Sequence, residues 1–209
     1  PLVPIGDRLL FSQYDYCLNL GGFANISKVN DGVCIAYDIC PVNVVMNHYA
    51  QKLAMPYDSG GELARSGQIL PTILEKLQVL PFYKQAFPKS LGVEWVHREI
   101  MPILEASKAK EEDILRTCVA HFASQIAQEL DVGSRVLVTG GGAYNRFLLE
   151  QIKALIDVSL VVPNETLTEF KEALIFGLLG VLKLRDEVNC LASVTGASKD
   201  HSSGVVFVP

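Results

Sequence analysis

Tyr16-Cys-Leu-Asn-Leu-Gly-Gly-Phe-Ala-Asn-Ile-Ser-Lys-Val-Asn-Asp-Gly-Val-Cys-Ile-Ala-Tyr-Asp38 decides how this chain folds. Cys17-Leu-Asn-Leu20 alternates into Gly21-Gly22, and Ala24 to Val29 alternates into Asn30-Asp31-Gly32. Asn, Asp and Gly tolerate positive φ, so the second junction is a hairpin turn. Val33 to Tyr37 then reads as a third strand, giving three consecutive antiparallel strands.

Outward from there, a helix is expected from Asn43 to about Ala54, after Pro41 sets a helix-compatible φ. Between Met55 and Ser107, Pro56, Gly60-Gly61, Pro71, Pro81, Pro88 and Pro102 break the pattern into short helical pieces, which reads as a helical insertion. From Lys110 to Leu130 the apolar residues Leu115, Val119, Phe122, Ile126 and Leu130 recur at helical spacing and predict an amphipathic helix. Arg135 to Thr139 is a buried-type strand delivered into Gly140-Gly-Gly142, with a helix from about Ala143 to Ile156. Leu160 to Val162 is a further strand. Thr166 and Glu169 have capping-box spacing at the head of a helix running to about Leu184 that is apolar on most sides and so needs a sheet or a partner. Asp186 to Pro209 reads as a loose tail. Strand-helix-strand units favour parallel pairing with right-handed crossovers, so the expected fold is α/β, a mixed sheet covered by helices.

The 209 residues are 49% hydrophobic and 20% charged, with 18 basic and 23 acidic side chains and a net charge of -5. This is globular composition with no basic footprint for nucleic acid. The longest apolar stretch, Ala173 to Leu182, is half of what a bilayer requires, and the N-terminal region has no export signal. Five cysteines without CxxC spacing read as reduced thiols of a cytoplasmic protein. The four histidines have no zinc-site spacing, and no direct metal ligand set is expected.

The chemistry-bearing candidates are glycine loops and a few polar side chains. Gly140-Gly-Gly142 between a strand and a helix lets a ligand touch the backbone, and favours an anion. It also reads as a plain strand-to-helix turn. Gly21-Gly22 joins the first two strands, either as an ordinary hairpin or as a second ligand loop. Both loops lie at ends of neighbouring strands in the inferred sheet, which suits a nucleoside triphosphate. Asp38 and Asn43 are expected to face one cleft, with a helix cap as the alternative for the pair. Asp58, in Asp58-Ser-Gly-Gly-Glu62, suits either a sugar or hydrated-metal contact or a cap for a helix starting near Glu62. Glu172 suits either the cleft or a solvated helix face. Lys89 reads as one surface lysine among many.

Leu18-Asn-Leu-Gly-Gly-Phe-Ala-Asn-Ile-Ser27, Tyr57-Asp-Ser-Gly-Gly61, Pro88-Lys-Ser-Leu-Gly92, Val138-Thr-Gly-Gly-Gly-Ala-Tyr-Asn145, Lys171-Glu-Ala-Leu174 and Val194-Thr-Gly-Ala197 occur in the order, and at about the spacing, of the anhydro-N-acetylmuramic acid kinases, which this chain resembles. The resemblance implies a ribonuclease-H-like lobe of the actin-like, sugar-kinase and heat-shock ATPase fold. It implies an ATP- and Mg²⁺-dependent enzyme that hydrolytically opens 1,6-anhydro-N-acetylmuramic acid and phosphorylates O6 in cell-wall recycling. By the resemblance, Gly21, Gly22 and Asn25 correspond to a phosphate loop and Gly140, Gly141, Gly142 and Asn145 to a loop lining the adenosine pocket. Asp38, Asn43, Asp58 and Glu172 are then candidate contacts for the amino sugar or Mg²⁺-bound water.

The family's first lobe, with its water-activating aspartate, precedes a PLVP stretch. Residues 1–209 therefore read as the second lobe, with the general base upstream of Pro1 and no activity expected of this chain alone. Asp38-Ile-Cys-Pro-Val-Asn43 departs from the family's DTGPGN by losing both glycines. A homodimer through the apolar last helix is a further expectation. The competing reading is a chaperone-like or regulatory nucleotide-binding protein of the same fold.

Overall fold

Alternation along the strands sends their side chains to two separate cores. Tyr16, Leu18 and Leu20 of β1 (Tyr16–Leu20) face one, whereas Cys17 faces the other. The computed structural model describes residues 2–207. β1 turns at Gly21-Gly22 into β2 (Phe23–Asn30), and Asp31 and Gly32, both at positive φ, turn β2 into β3 (Val33–Pro41). β4 (Arg135–Thr139) lies parallel to β1, and β5 (Ser159–Val161) parallel to β4. The order β3-β2-β1-β4-β5, with only the first three strands antiparallel, is the ribonuclease-H-like arrangement expected.

The larger core lies under α2 (Asn43–Lys52), the insertion, α7 (Glu111–Ala127) and α8 (Arg146–Leu155). The insertion comprises α3 (Glu62–Ser66), α4 (Pro71–Gln78), α5 (Val93–Trp95) and α6 (Met101–Glu105), the last two joined by a π-helical turn. The smaller core lies under α1 (Val3–Leu10), α9 (Glu165–Leu184) and α10 (Ala192–Thr195). Among the described residues no helix is long and apolar enough to cross a membrane, and all five cysteines are free and buried.

Several details depart from the expectations above. α1 has no counterpart in the sequence reading, and the tail carries α10 and a bridge between Cys190 and His201. α7 is buried well beyond one stripe: Thr117, His121 and Gln125 are enclosed as well, because the insertion packs on the side that would otherwise face solvent. α9 is capped by Asn164, whose side-chain oxygen accepts from the Leu167 amide at 2.9 Å, so Thr166 and Glu169 do not form the capping box. α8 starts three residues later than expected, behind a 3₁₀ turn over Gly141–Tyr144.

Candidate functional site

Strand register builds a polar row across the sheet. Thr139 of β4 pairs with Asn19 of β1, Asn19 with Asn25 of β2, and Asn25 with Asp38 of β3 beside a bulge. Period-2 alternation turns all four toward the smaller-core side, where they line a cleft of about 900 Å³ shared with Lys89 and Glu172. Thr139 is 1% exposed and its hydroxyl has no partner. Leaving a buried hydroxyl unpaired is unfavourable, so a polar group arriving in the cleft is stabilised there.

At the end of this row the two glycine loops abut. A Cβ at Gly140 would come within 2.7 Å of the Asn19 side-chain oxygen and 2.9 Å of the Leu20 carbonyl, and one at Gly142 within 2.7 Å of Leu20 Cβ. Gly140 and Gly142 are therefore required by the close approach of β1. Gly141 is different, since a Cβ there meets only Asn43 Nδ2, at 3.7 Å. Not every backbone group in the loops is free. The Gly21 amide donates to Phe23, the Gly140 amide to Thr168, and the Gly21 and Gly22 carbonyls accept from Val42, Asn43 and Val44 at the start of α2. Gly21-Gly22 thus anchors a helix, and of the pair it is Gly21 that lines the larger cleft, whereas Gly22, expected in the phosphate loop, does not.

A second cleft of about 400 Å³ lies across this ridge, lined among others by Met46, Tyr57, Gly141, Tyr144 and Asn145. Asn145 is buried and caps α8, accepting the Leu148 amide at 2.9 Å. Asn43 sits in this cleft and donates to the Leu20 carbonyl at 3.2 Å. Asp38 and Asn43 were expected to share one cleft; they line different ones, because the chain turns over the ridge between them. Asp58 also borders the smaller cleft, yet its two oxygens accept from the Leu63 and Ala64 amides at 2.8 and 3.0 Å, the capping alternative. Glu172 is exposed at the rim of the larger cleft.

The wall of the larger cleft is a loop strapped to β3. Asp38 accepts the Leu91 amide at 2.7 Å, and its own amide donates to the Lys89 carbonyl. Burial pushes the Asp38 carboxyl above its ordinary range, and the Leu91 bond opposes that shift. Lys89 is no ordinary surface lysine: its side chain is 5% exposed, 3.6 Å from Glu129 and over the rings of Phe82 and Tyr37. The same Glu129 accepts the Tyr37 hydroxyl at 2.7 Å.

The same larger cleft is also lined by a charged group, Asp7 and Lys171 with Ser27, that the sequence reading did not take as site residues. Asp7 of α1 accepts from Lys171 of α9 at 2.9 Å and from Ser27 of β2 at 2.6 Å, with both ionic side chains under 10% exposed. Asn19 and Thr139 also went unread. Their one sequence signal is a polar residue at an inward strand position immediately before a glycine loop. Among the described residues no three His, Cys, Asp or Glu side chains gather as a metal-ion ligand set.

The profile of the family described as anhydro-N-acetylmuramic acid kinase matches residues 1–209. Proteins of that name from Variovorax paradoxus and Francisella tularensis subsp. novicida are 33% and 32% identical, over 99% and 94% of this chain and 60% and 57% of their own. One from Sulfurovum sp. is 31% identical over 100% of this chain and 60% of its own. The chain spans about 60% of the length of the curated relatives it matches. Among solved structures, component A of (R)-2-hydroxyglutaryl-CoA dehydratase from Acidaminococcus fermentans has a TM-score of 0.48 at 15% identity, covering 83% of this chain and 63% of that one. The activator of 2-hydroxyisocaproyl-CoA dehydratase from Clostridium difficile, with bound ADPNP, has a TM-score of 0.48 at 17% identity, covering 83% and 66%. With its family profile matched from end to end, this chain belongs to the anhydro-N-acetylmuramic acid kinase family.

Proposed function

We propose that the protein is an ATP-dependent kinase that opens 1,6-anhydro-N-acetylmuramic acid with water and transfers a phosphoryl group to O6. The products are N-acetylmuramic acid 6-phosphate and ADP. In this reading the chain is the C-terminal, nucleotide-holding lobe of a two-lobe cytoplasmic enzyme. The observation that carries it is the abutment of the two glycine loops at the end of a polar strand row, with clefts on both sides. The smaller cleft suits adenosine: Tyr144 and Tyr57 offer ring faces and Gly141 leaves room beside the backbone. The larger cleft suits the phosphates and the sugar, with Gly21, Asn25 and the partnerless Thr139 hydroxyl at the phosphate end and Asp38 and Glu172 toward the sugar.

The residues fit the cofactor in chemical kind, since the row offers neutral donors and leaves a buried hydroxyl to be satisfied. Bound MgATP supplies the transferable phosphoryl group and offsets its charge. Mg²⁺ would arrive with the nucleotide's phosphates, and Asp38 and Glu172 at the larger cleft would hold its bound water. Phosphoryl transfer depends mostly on positioning and charge stabilisation, so a site of glycines and amides suits that chemistry.

The test is mass spectrometry of the full-length gene product incubated with MgATP and the anhydro sugar in ¹⁸O-labelled water. A phosphorylated product carrying one heavy oxygen is the expected result. No product despite saturable ATP binding would reject this sugar as substrate. Gly141→Val is expected to raise the KM for ATP, and unchanged kinetics would remove Gly141 from the adenosine site.

A further inference from the structure

The order β3-β2-β1-β4-β5 leaves β3 at an edge of the sheet, with a neighbour on one side only. An edge strand presents unpaired backbone groups unless another segment covers them. Residues 87–91 of the insertion cover this edge at one point. The Asp38 amide donates to the Lys89 carbonyl at 3.2 Å, and the Leu91 amide donates to the Asp38 carboxylate at 2.7 Å. At that point β3 is irregular, since Asn25 pairs with Asp38 and Ala24 with Cys40, which makes Ile39 the extra residue. A bulge re-aims the strand beside it, and the two strap bonds fix the residue next to this one.

What keeps the strap in place lies on the other face of β3. Tyr37, the neighbour of Asp38, is buried in the larger core, and the strap closes over it. The Phe87 ring stacks on Tyr37 with centroids 5.7 Å apart and planes 11° from parallel. Lys89 Nζ stands 5.6 Å from the Tyr37 centroid and 5.2 Å from that of Phe82. Glu129, just beyond α7, joins the group together: it accepts the Tyr37 hydroxyl at 2.7 Å and pairs with the Lys89 ammonium at 3.6 Å. A lysine side chain only 5% exposed is uncommon, and a charge so buried requires such partners. Pro88, Lys89 and Ser90 border the larger cleft beside Asp38, whereas Glu129 lines neither cleft. Glu129 can therefore reach a ligand only through the strap.

We propose that Lys89 is a positioning residue: paired with Glu129 and seated on Tyr37, it holds the strap on β3 and so sets Asp38 and Ser90 at the sugar end of the larger cleft. The identity of the sugar rests on the kinase reading above; the mechanics of the strap do not. The nucleotide is gripped by the glycine loops at the other end of the row, so the effect falls on the sugar.

The test is steady-state kinetics of the full-length gene product with MgATP and the anhydro sugar, joined to amide hydrogen exchange followed by NMR. Lys89→Met keeps an apolar stem over the rings and strands no deeply buried charge, because Glu129 is 27% exposed. Glu129→Gln breaks the same pair from outside both clefts. Each variant is expected to raise the KM for the sugar about tenfold and to leave the KM for ATP within about twofold. In each, the Leu91 amide should exchange faster, while the Leu18 amide, in the buried strand β1, keeps its rate. The double variant should be no worse than either single one, since the two residues act as a unit. Ile73→Val, at a core position outside the clefts, should leave the KM for the sugar unchanged, which separates loss of position from general loss of stability. An unchanged sugar KM in Glu129→Gln, an equal rise in both KM values, or Leu91 exchange at the wild-type rate would each overturn the proposal. If Lys89→Met does not fold, Glu129→Gln decides by the same readings. No product from the wild-type protein would reject the kinase reading, and the Leu91 rate would then decide alone whether Lys89 holds the strap.

Discussion

At Gly140 the backbone takes φ +83°, and any Cβ would press on Asn19 and Leu20. Gly140→Ala is therefore expected to lose about 1–3 kcal/mol of stability, while Gly141→Ala, with open space, should stay within about 0.5 kcal/mol. Urea unfolding of the two variants decides this, and equal losses would refute the distinction. His121 makes a different prediction. It is fully buried, both ring nitrogens lack partners, and burial lowers its pKa from 6.5 to about 3. Between those values the unfolded chain holds a proton that the folded one refuses. Stability therefore falls as pH drops from about 6.5 to about 3, by up to about 1.4 kcal/mol per unit from this group. His121→Phe should flatten the slope in that window, and an unchanged pH profile would show that His121 is protonated in the fold.

Among the elements, α1, β2 and α9 are tied together by Asp7, Ser27 and Lys171. Removing one partner of a buried pair strands the other charge, so Lys171→Met alone should cost about 3–5 kcal/mol. The double variant Asp7→Leu with Lys171→Met should lose clearly less than the two single losses combined, because no charge is then stranded. Additive losses in thermal unfolding would mean that the pair contributes no coupling. The tie also fixes the turn of α9 that carries Glu169 and Glu172 to the cleft rim. The elements were legible where pattern and turn chemistry agree, as in the three antiparallel strands and α7. α1 escaped notice because eight residues with a proline near the start give too short a period to read. The capping box on α9 was misplaced because Asn164, two residues before Thr166, starts the helix and accepts the Leu167 amide, leaving Thr166 inside the first turn.

Across the whole molecule, two cores on opposite faces of one sheet enclose four of the five thiols, and the fifth, Cys190, is buried where the tail bridges to His201. Burial pushes Cys17 and Cys118 up to about 12 and Cys34 to about 11. The thiolate is the reactive form, so native protein should react slowly with a thiol reagent at pH 8, whereas unfolded protein should titrate all five at once. Fast labelling in the native state would show that a core opens readily. The sequence by itself determined the strand order, the two glycine loops and the family, because hairpin turns, period-2 runs and ordered motifs are written in neighbouring residues. Only the tertiary structure decided that Thr139, Asn19, Asn25 and Asp38 form one row, that Asp38 and Asn43 part to different clefts, and that Asp58 and Asn145 are caps. It alone joined Asp7 to Lys171 across 164 positions. Those outcomes depend on strand register and on which face a side chain meets, and a one-residue shift of register reverses every such assignment.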